Sequence, residues 1–110
     1  MEFLIRPTQS MFFEDISFED ISFSDFPQLM RLNSFFFEVL DNSGDYRIKV
    51  QECEITFSDE MVGVQINFEG DYLTLKTMRK IVAEIADNLR VESAQQVEVI
   101  EIEGRHILSF

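Results

Sequence analysis

The hydrophobic and polar positions of this chain follow two different periods. The apolar residues of 62–68 alternate with polar residues at strict period two, which predicts a strand with one buried and one wet face. In residues 74–90 the apolar positions recur at steps of three and four, and Thr74 stands where it can cap a first turn. This change of period predicts a strand followed by an amphipathic helix of about residues 74–90.

Further strands are predicted on both sides of this pair. Residues 2–6 form a short strand that Pro7 closes, and residues 34–40 are rich in residues that favour sheets. In residues 46–57 apolar and polar residues alternate, but the parity changes at 51–52. A change of face within one strand-like run indicates a bulge at that point.

Turns and two more strands complete the pattern. Residues 41–45, 58–60 and 69–71 are clusters of small and acidic residues, which predict turns. Residues 97–102 form a strand whose apolar side chains point to both faces, so we expect it to be covered on both sides. A last strand is predicted at residues 106–110.

The order of strands, one helix and strands predicts an α+β fold. We expect an antiparallel sheet of about five or six strands with the helix of residues 74–90 packed on one face. The length of 110 residues fits a single domain, 1–110, and 45% hydrophobic residues are enough for a core. Residues 8–33 fit this outline poorly and are predicted to be an irregular, acidic, Phe-rich segment within the domain.

That segment contains an internal repeat. Phe-Glu-Asp-Ile-Ser occurs at residues 13–17 and again at 18–22, and Phe-Ser-Asp-Phe at 23–26 is a decayed third copy. Its apolar positions are separated by alternating steps of three and two, which match neither an amphipathic helix nor a one-sided strand. The segment is therefore either a turn-rich lobe with its carboxylates outward or a regular element in which the repeat is coincidental.

A third interpretation follows from the five-residue period. The segments Asp15-Ile16-Ser17 and Asp20-Ile21-Ser22 resemble the pentapeptide-repeat family, in which Asp or Asn precedes a central Leu or Phe. Glu14 and Glu19 stand where that family usually has a small residue. The resemblance implies a β-helical coil, and some members of the family are acidic mimics of DNA.

The charge of the chain is strongly unbalanced. Nine Lys and Arg face 21 Asp and Glu, a formal net charge of −12, and no Lys or Arg occurs between Pro7 and Arg31. Phosphate contacts come from Lys and Arg, so we expect no direct binding to nucleic acid. An acidic surface of this kind favours a basic protein partner.

The residues that carry chemistry are sparse. Cys53 is the single cysteine and His106 the single histidine, and they lie far apart in the sequence. One cysteine fits a reducing compartment, and residues 1–7 lack the pattern of a signal peptide, so we expect a cytoplasmic protein that does not enter a membrane. We expect no enzyme activity, no metal and no cofactor.

These features together favour a protein-binding inhibitor. In size, acidity and α+β pattern the chain resembles the small acidic immunity proteins with which bacteria neutralise their own toxins. That resemblance implies an antitoxin role in which a basic, nuclease-type toxin is inhibited by occlusion of its active site or substrate groove. Two alternatives stay open: a phage-type nucleic-acid mimic that inhibits a restriction or CRISPR protein, and a structural or assembly subunit without inhibitory activity.

The residues expected to contact the partner belong to the repeat and to two later acidic turns. They are Glu14, Asp15, Phe18, Glu19, Asp20, Asp25, Asp59, Glu60, Glu69 and Asp71.

Overall fold

The structure is a computed structural model that describes residues 1–8, 18, 22–40, 44–60, 63–103 and 106–109. A short 3₁₀ helix at Phe23–Asp25 precedes the first α-helix. The elements in chain order are β1 (Glu2–Pro7), α1 (Phe26–Leu29), β2 (Glu38–Val39), β3 (Tyr46–Val50), β4 (Cys53–Glu60), β5 (Gly63–Phe68), α2 (Leu75–Ser93), β6 (Val97–Glu103) and β7 (His106–Ser109).

The described strands form one antiparallel sheet in the order β2-β3-β4-β5-β1-β6-β7. The predicted α+β class, with one main helix against an antiparallel sheet, is confirmed. In the described part of the chain the sheet has seven strands, one more than the five or six predicted. The shortest is β2, a two-residue strand at the edge of the sheet.

The first strand of the chain lies inside the sheet. β1 pairs with β5 on one side and with β6 on the other, so Phe3 lies opposite both Ile66 and Glu101. At its beginning, the N–H of Phe68 donates to the carbonyl oxygen of Met1 at 2.9 Å. β1 therefore joins the meander β2–β5 to the hairpin β6–β7.

The core lies between α2 and one face of the sheet. α2 begins after Thr74, whose Oγ1 accepts a hydrogen bond from the N–H of Thr77 at 3.1 Å, and ends at Ala94 in a left-handed conformation. This agrees with the predicted amphipathic helix. Its buried side chains are Met78, Ile81, Val82, Ile85, Ala86 and Leu89.

The strand β6 is covered on both faces, as its pattern predicts. Val99 lies opposite Ile5 on the side of the sheet that packs against the helix. Ile100 lies opposite Leu4 on the other side and is only 2% exposed.

A buried carboxylate on the same strand connects the sheet to α2. Glu101 shares the helix-side face with Phe3 and is 2% exposed. The Nε of Arg79 pairs with one of its carboxylate oxygens, and Nη2 of Arg79 donates to the other at 3.1 Å. This hydrogen-bonded pairing raises the pKa of Arg79. A two-point contact of this kind also fixes the orientation of both side chains.

Two predictions about the hairpins are wrong. The change of parity at 51–52 is a two-residue turn rather than a bulge, because Val50 pairs directly with Cys53 and Gln51 is left-handed with φ 55°. Residues 58–60 belong to β4 rather than to a turn, since Glu60 still pairs with Gly63. Asp59 and Glu60 are exposed at the end of β4, so their carboxylates do not interrupt the ladder.

The predicted strand at residues 34–40 is reduced to β2. Its first residues pass over the end of the core, where Phe35 and Phe37 are half-buried and pack against it. The aromatic residues that favour a strand at this position therefore pack against the core instead of pairing with a neighbouring strand. Of the predicted turn at 41–45, residues 41–43 lie outside the described part of the chain.

The end of the segment 8–33 is part of the core rather than an irregular lobe. It contains α1, and Phe26, Leu29, Met30 and Leu32 are at most 4% exposed. Residues 13–17 and 19–21 of the repeat lie outside the described residues. None of the helices in the described ranges is both long and apolar enough to cross a membrane.

Replacement of Gly63 by alanine should destabilise the fold. A Cβ at this position would lie 2.1 Å from the carbonyl oxygen of Ile5, so β5 and β1 would have to separate. We expect the free energy of unfolding in urea to fall by about 1–3 kcal/mol, the range for overpacked sites. Gly44→Ala is the control, because no atom lies within 4 Å of its added Cβ. An equal effect of both substitutions would contradict the close approach.

Replacement of Tyr46 by phenylalanine should stabilise the fold. The Tyr46 hydroxyl is buried and has no hydrogen-bond partner among the described residues, and burial raises the pKa of this tyrosine above 10.0. Loss of an unsatisfied polar group should raise the free energy of unfolding by about 1 kcal/mol at pH 7. The wild type should in addition lose stability as the pH rises past 10, because its unfolded state ionises first, whereas at this site Tyr46→Phe does not titrate. Urea unfolding of both proteins at pH 7 and above pH 10 measures the gain in stability and its pH dependence. A Tyr46→Phe variant that is less stable than the wild type would contradict the prediction.

Candidate protein-binding surface

The negative charge is concentrated in two stretches of the chain. Residues 7–30 hold five carboxylates and residues 50–75 hold six, and neither stretch contains Lys or Arg. The remaining residues hold ten carboxylates and nine Lys and Arg, so they are almost neutral. The second stretch is the hairpin β4–β5 with its flanking loops, and the structure describes all of its carboxylates.

The hairpin divides these carboxylates between its two ends. Asp59 and Glu60 lie at the end where β4 meets β5, close to Asp45, which accepts a hydrogen bond from Ser58 Oγ at 3.2 Å. Glu69 and Asp71 follow the other end of β5. At about 3.3 Å per residue the two groups are roughly 20 Å apart. The four acids of the two predicted turns therefore do not form one cluster.

The second end of the hairpin contains a surface depression of about 380 Å³. The loop after β5 folds against β4 there, where the N–H of Glu69 donates to the carbonyl oxygen of Glu54 at 3.0 Å. We call this site the acidic depression. It is lined by Lys49, Glu52, Glu54, Glu69, Gly70 and Tyr72.

The backbone under the acidic depression is tightly held. Cys53 is buried beneath it and its thiol donates to the carbonyl oxygen of Glu69 at 3.4 Å. Burial raises the pKa of this thiol, so it stays protonated at neutral pH. Gly70 is left-handed with φ 76°, and a Cβ there would lie 2.9 Å from the ring of Tyr72. The loop conformation thus depends on glycine.

The acidic depression suits a cationic side chain. Three carboxylates face one ammonium group, that of Lys49, and the Tyr72 ring at the rim is 64% exposed. Carboxylates form strong charge-assisted hydrogen bonds with guanidinium groups, and an exposed aromatic face attracts cations. Glu52 and Glu54 are not among the residues predicted to contact a partner, although the absence of Lys and Arg from residues 50–75 is a signal that points to them.

The residues predicted from the repeat have different surroundings. Phe18 is half-buried and packs against the core. Asp25 is exposed, and its carboxylate accepts hydrogen bonds from the N–H of Ser22 at 2.9 Å and from its hydroxyl at 3.2 Å. Glu14, Asp15, Glu19 and Asp20 lie outside the described residues.

No His, Cys, Asp or Glu cluster of three or more in the described ranges has the arrangement of a metal site. Comparison with protein-family models, curated proteins and solved structures found no match to this chain. The surface described above is therefore interpreted from its own geometry and charge.

Repulsion between the carboxylates of the acidic depression should lower the free energy of unfolding. The double substitution Glu52→Gln and Glu69→Gln removes two like charges and should raise the free energy of unfolding by a few tenths of a kcal/mol at about 10 mM salt. At about 1 M salt, where charges are screened beyond about 3 Å, the gain should disappear. Urea titrations at both salt concentrations measure it. Glu98→Gln is the control, since Glu98 is paired with Arg6 at 2.6 Å and its loss should give no gain. A gain that persists at high salt would contradict an electrostatic cause.

Proposed function

We propose that this protein is an inhibitor that binds a basic protein in the cytoplasm, with the acidic depression as part of the contact surface. The observation that carries the proposal is the group of three glutamates, Glu52, Glu54 and Glu69, that line the acidic depression within a stretch, residues 50–75, that contains no Lys or Arg. In this proposal the protein acts by occlusion and needs no chemistry of its own.

The hairpin is a rigid support for these charges. Its inward side chains Ile55, Phe57, Ile66 and Phe68 are at most 1% exposed. Because the carboxylates project from a fixed backbone, little conformational entropy is lost when a partner's Lys or Arg meets them. Charge complementarity of this kind accelerates association, while buried anchors supply most of the affinity.

The partner that best fits this surface is a basic, nuclease-type toxin, which would make the protein an immunity protein. A nuclease needs Lys and Arg to hold phosphate, and these are the groups that the carboxylates would cover. A nucleic-acid mimic would instead need a continuous acidic stripe. The outward side chains between the two ends of the hairpin, Thr56, Ser58, Gln65 and Asn67, are neutral, which favours compact contact patches.

The proposal can be tested by affinity capture with a charge-reversed variant. The tagged wild type, incubated with lysate of its source cell at about 0.15 M salt, should retain a basic protein in stoichiometric amount. The triple variant Glu52→Lys, Glu69→Lys and Asp71→Lys should retain at least about tenfold less of it, because attraction becomes repulsion.

The matched control has the same change in net charge at other exposed positions, Asp59→Lys, Glu60→Lys and Glu92→Lys. It should retain the partner. If all three proteins capture the same basic proteins in proportion to their abundance, the charge acts only as a general attractant and the inhibitor proposal fails.

A further inference from the structure

The most exposed aromatic ring of the described chain is Phe36. Its side chain is 100% exposed, whereas its neighbours Phe35 and Phe37 are half-buried and pack against the core. Burial of a phenylalanine side chain is worth about 1.5–3 kcal/mol, so a ring fully in water is an unused source of binding energy. Contacts made by the backbone before and after Phe36 hold its side chain in this exposed position.

The segment that leads to Phe36 is fastened to α2 through its backbone. One carboxylate oxygen of Glu84 accepts hydrogen bonds from the N–H groups of Asn33 and Ser34, at 2.8 and 3.1 Å. One turn further along α2, the amide of Asn88 donates to the carbonyl oxygens of Leu29 and Arg31, at 2.8 and 2.9 Å. Four backbone groups before Phe36 are thereby fixed.

The chain after Phe36 is fixed as well. Glu38 and Val39 form β2 and pair with Lys49 and Ile48 of β3. The ring therefore stands on a short span between two anchored segments. Presentation on a pre-organised segment lowers the entropy lost on binding, which is typical of residues that dominate the affinity of an interface.

Phe36 lies at the same end of the sheet as the acidic depression. Because β2 runs antiparallel to β3, the residues before Glu38 extend toward the turn between β3 and β4. That turn carries Glu52, and Lys49 opposite Glu38 lines the acidic depression itself. The backbone of Phe36 and the carboxylates of the acidic depression therefore lie toward the same end of the sheet.

The charged side chains beside the Phe36 segment are of both signs. Phe35 lines a groove of about 680 Å³ along α2, in which Glu84 and Asp87 are accompanied by Lys80. The negative excess is larger in the acidic depression, where three carboxylates accompany the single ammonium group of Lys49. An apolar centre with a charged rim is the usual arrangement of a protein interface.

These observations decide between two possible occupants. In a dimer with twofold symmetry the same patch meets itself, so two acidic depressions would be brought together and repel. A basic partner meets no such repulsion. Resting on the function proposed above, we propose that Phe36 is the apolar anchor of the interface and enters an apolar pocket bordered by Lys and Arg on a basic partner protein.

The proposal can be tested by site-specific photo-crosslinking in the source cell, with p-benzoylphenylalanine in place of Phe36. The p-benzoylphenylalanine at position 36 should crosslink a basic protein. The same amino acid in place of Val91, which is 64% exposed on α2, should not. A crosslink to a second copy of this chain, to a non-basic protein, or to nothing would overturn the proposal.

The affinity for the purified, crosslinked partner then measures the anchor. Phe36→Ala should weaken binding by about 30-fold or more, the scale of an interface hot spot, while Val91→Ala changes it less than about twofold. Glu84→Gln, which weakens the fastening of the segment, should weaken binding by a smaller factor with Phe36 still present.

The two proposals fail in different ways. If the triple Lys variant of the acidic depression abolishes binding but Phe36→Ala does not weaken it, Phe36 is not the anchor and the proposed function stands. If Phe36→Ala weakens binding while the triple variant has no effect, the proposed charge-based function fails, and with it the basic partner assigned to Phe36. Circular dichroism of each variant confirms that the fold is intact.

Discussion

The fold depends on the pairing of β1 with both β5 and β6. The strand comes from the beginning of the chain, yet Phe3 and Ile5 are fully buried in the middle of the sheet. It is the contact that joins the meander of residues 38–68 to the hairpin formed by β6 and β7. Gly63 allows β5 to approach β1 closely, and α2 can cover one continuous face only because this pairing makes the sheet continuous.

Sequence patterns predicted the elements whose burial is one-sided and regular. The alternation in 62–68 and the helical period in 74–90 correspond to β5 and α2 because each element buries a single face. Predictions failed where burial did not follow secondary structure. A two-residue turn at Gln51 changes the parity as a bulge would, and Phe35 and Phe37 pack on the core without joining a strand. The buried Glu101 has no local signal, because its partner Arg79 lies on another element.

The candidate surface could be predicted only in part, for a related reason. Glu69 and Asp71 were recognised as an acidic turn, and both lie at the acidic depression or beside it in the chain. Asp59 and Glu60 belong to the same hairpin but lie at its far end. Which carboxylates come together depends on strand register, which sequence spacing does not reveal. Phe36 was predicted to lie within a strand, and its full exposure depends on how Glu84 and Asn88 hold the preceding backbone.

The arrangement separates the source of stability from the surface proposed to bind a partner. The hairpin that carries six carboxylates is also the part of the sheet with the most completely buried side chains, so its packing can offset the repulsion between like charges. The buried carboxylate of Glu101 is paired with Arg79, whereas the carboxylates of the acidic depression have one cationic group, Lys49, lining the depression with them. If stability alone had shaped this surface, neutral residues at 52 and 69 would serve better. Carboxylates at both positions are understandable if an external cation completes the site, and the fully exposed ring of Phe36 beside it would be completed by the same partner.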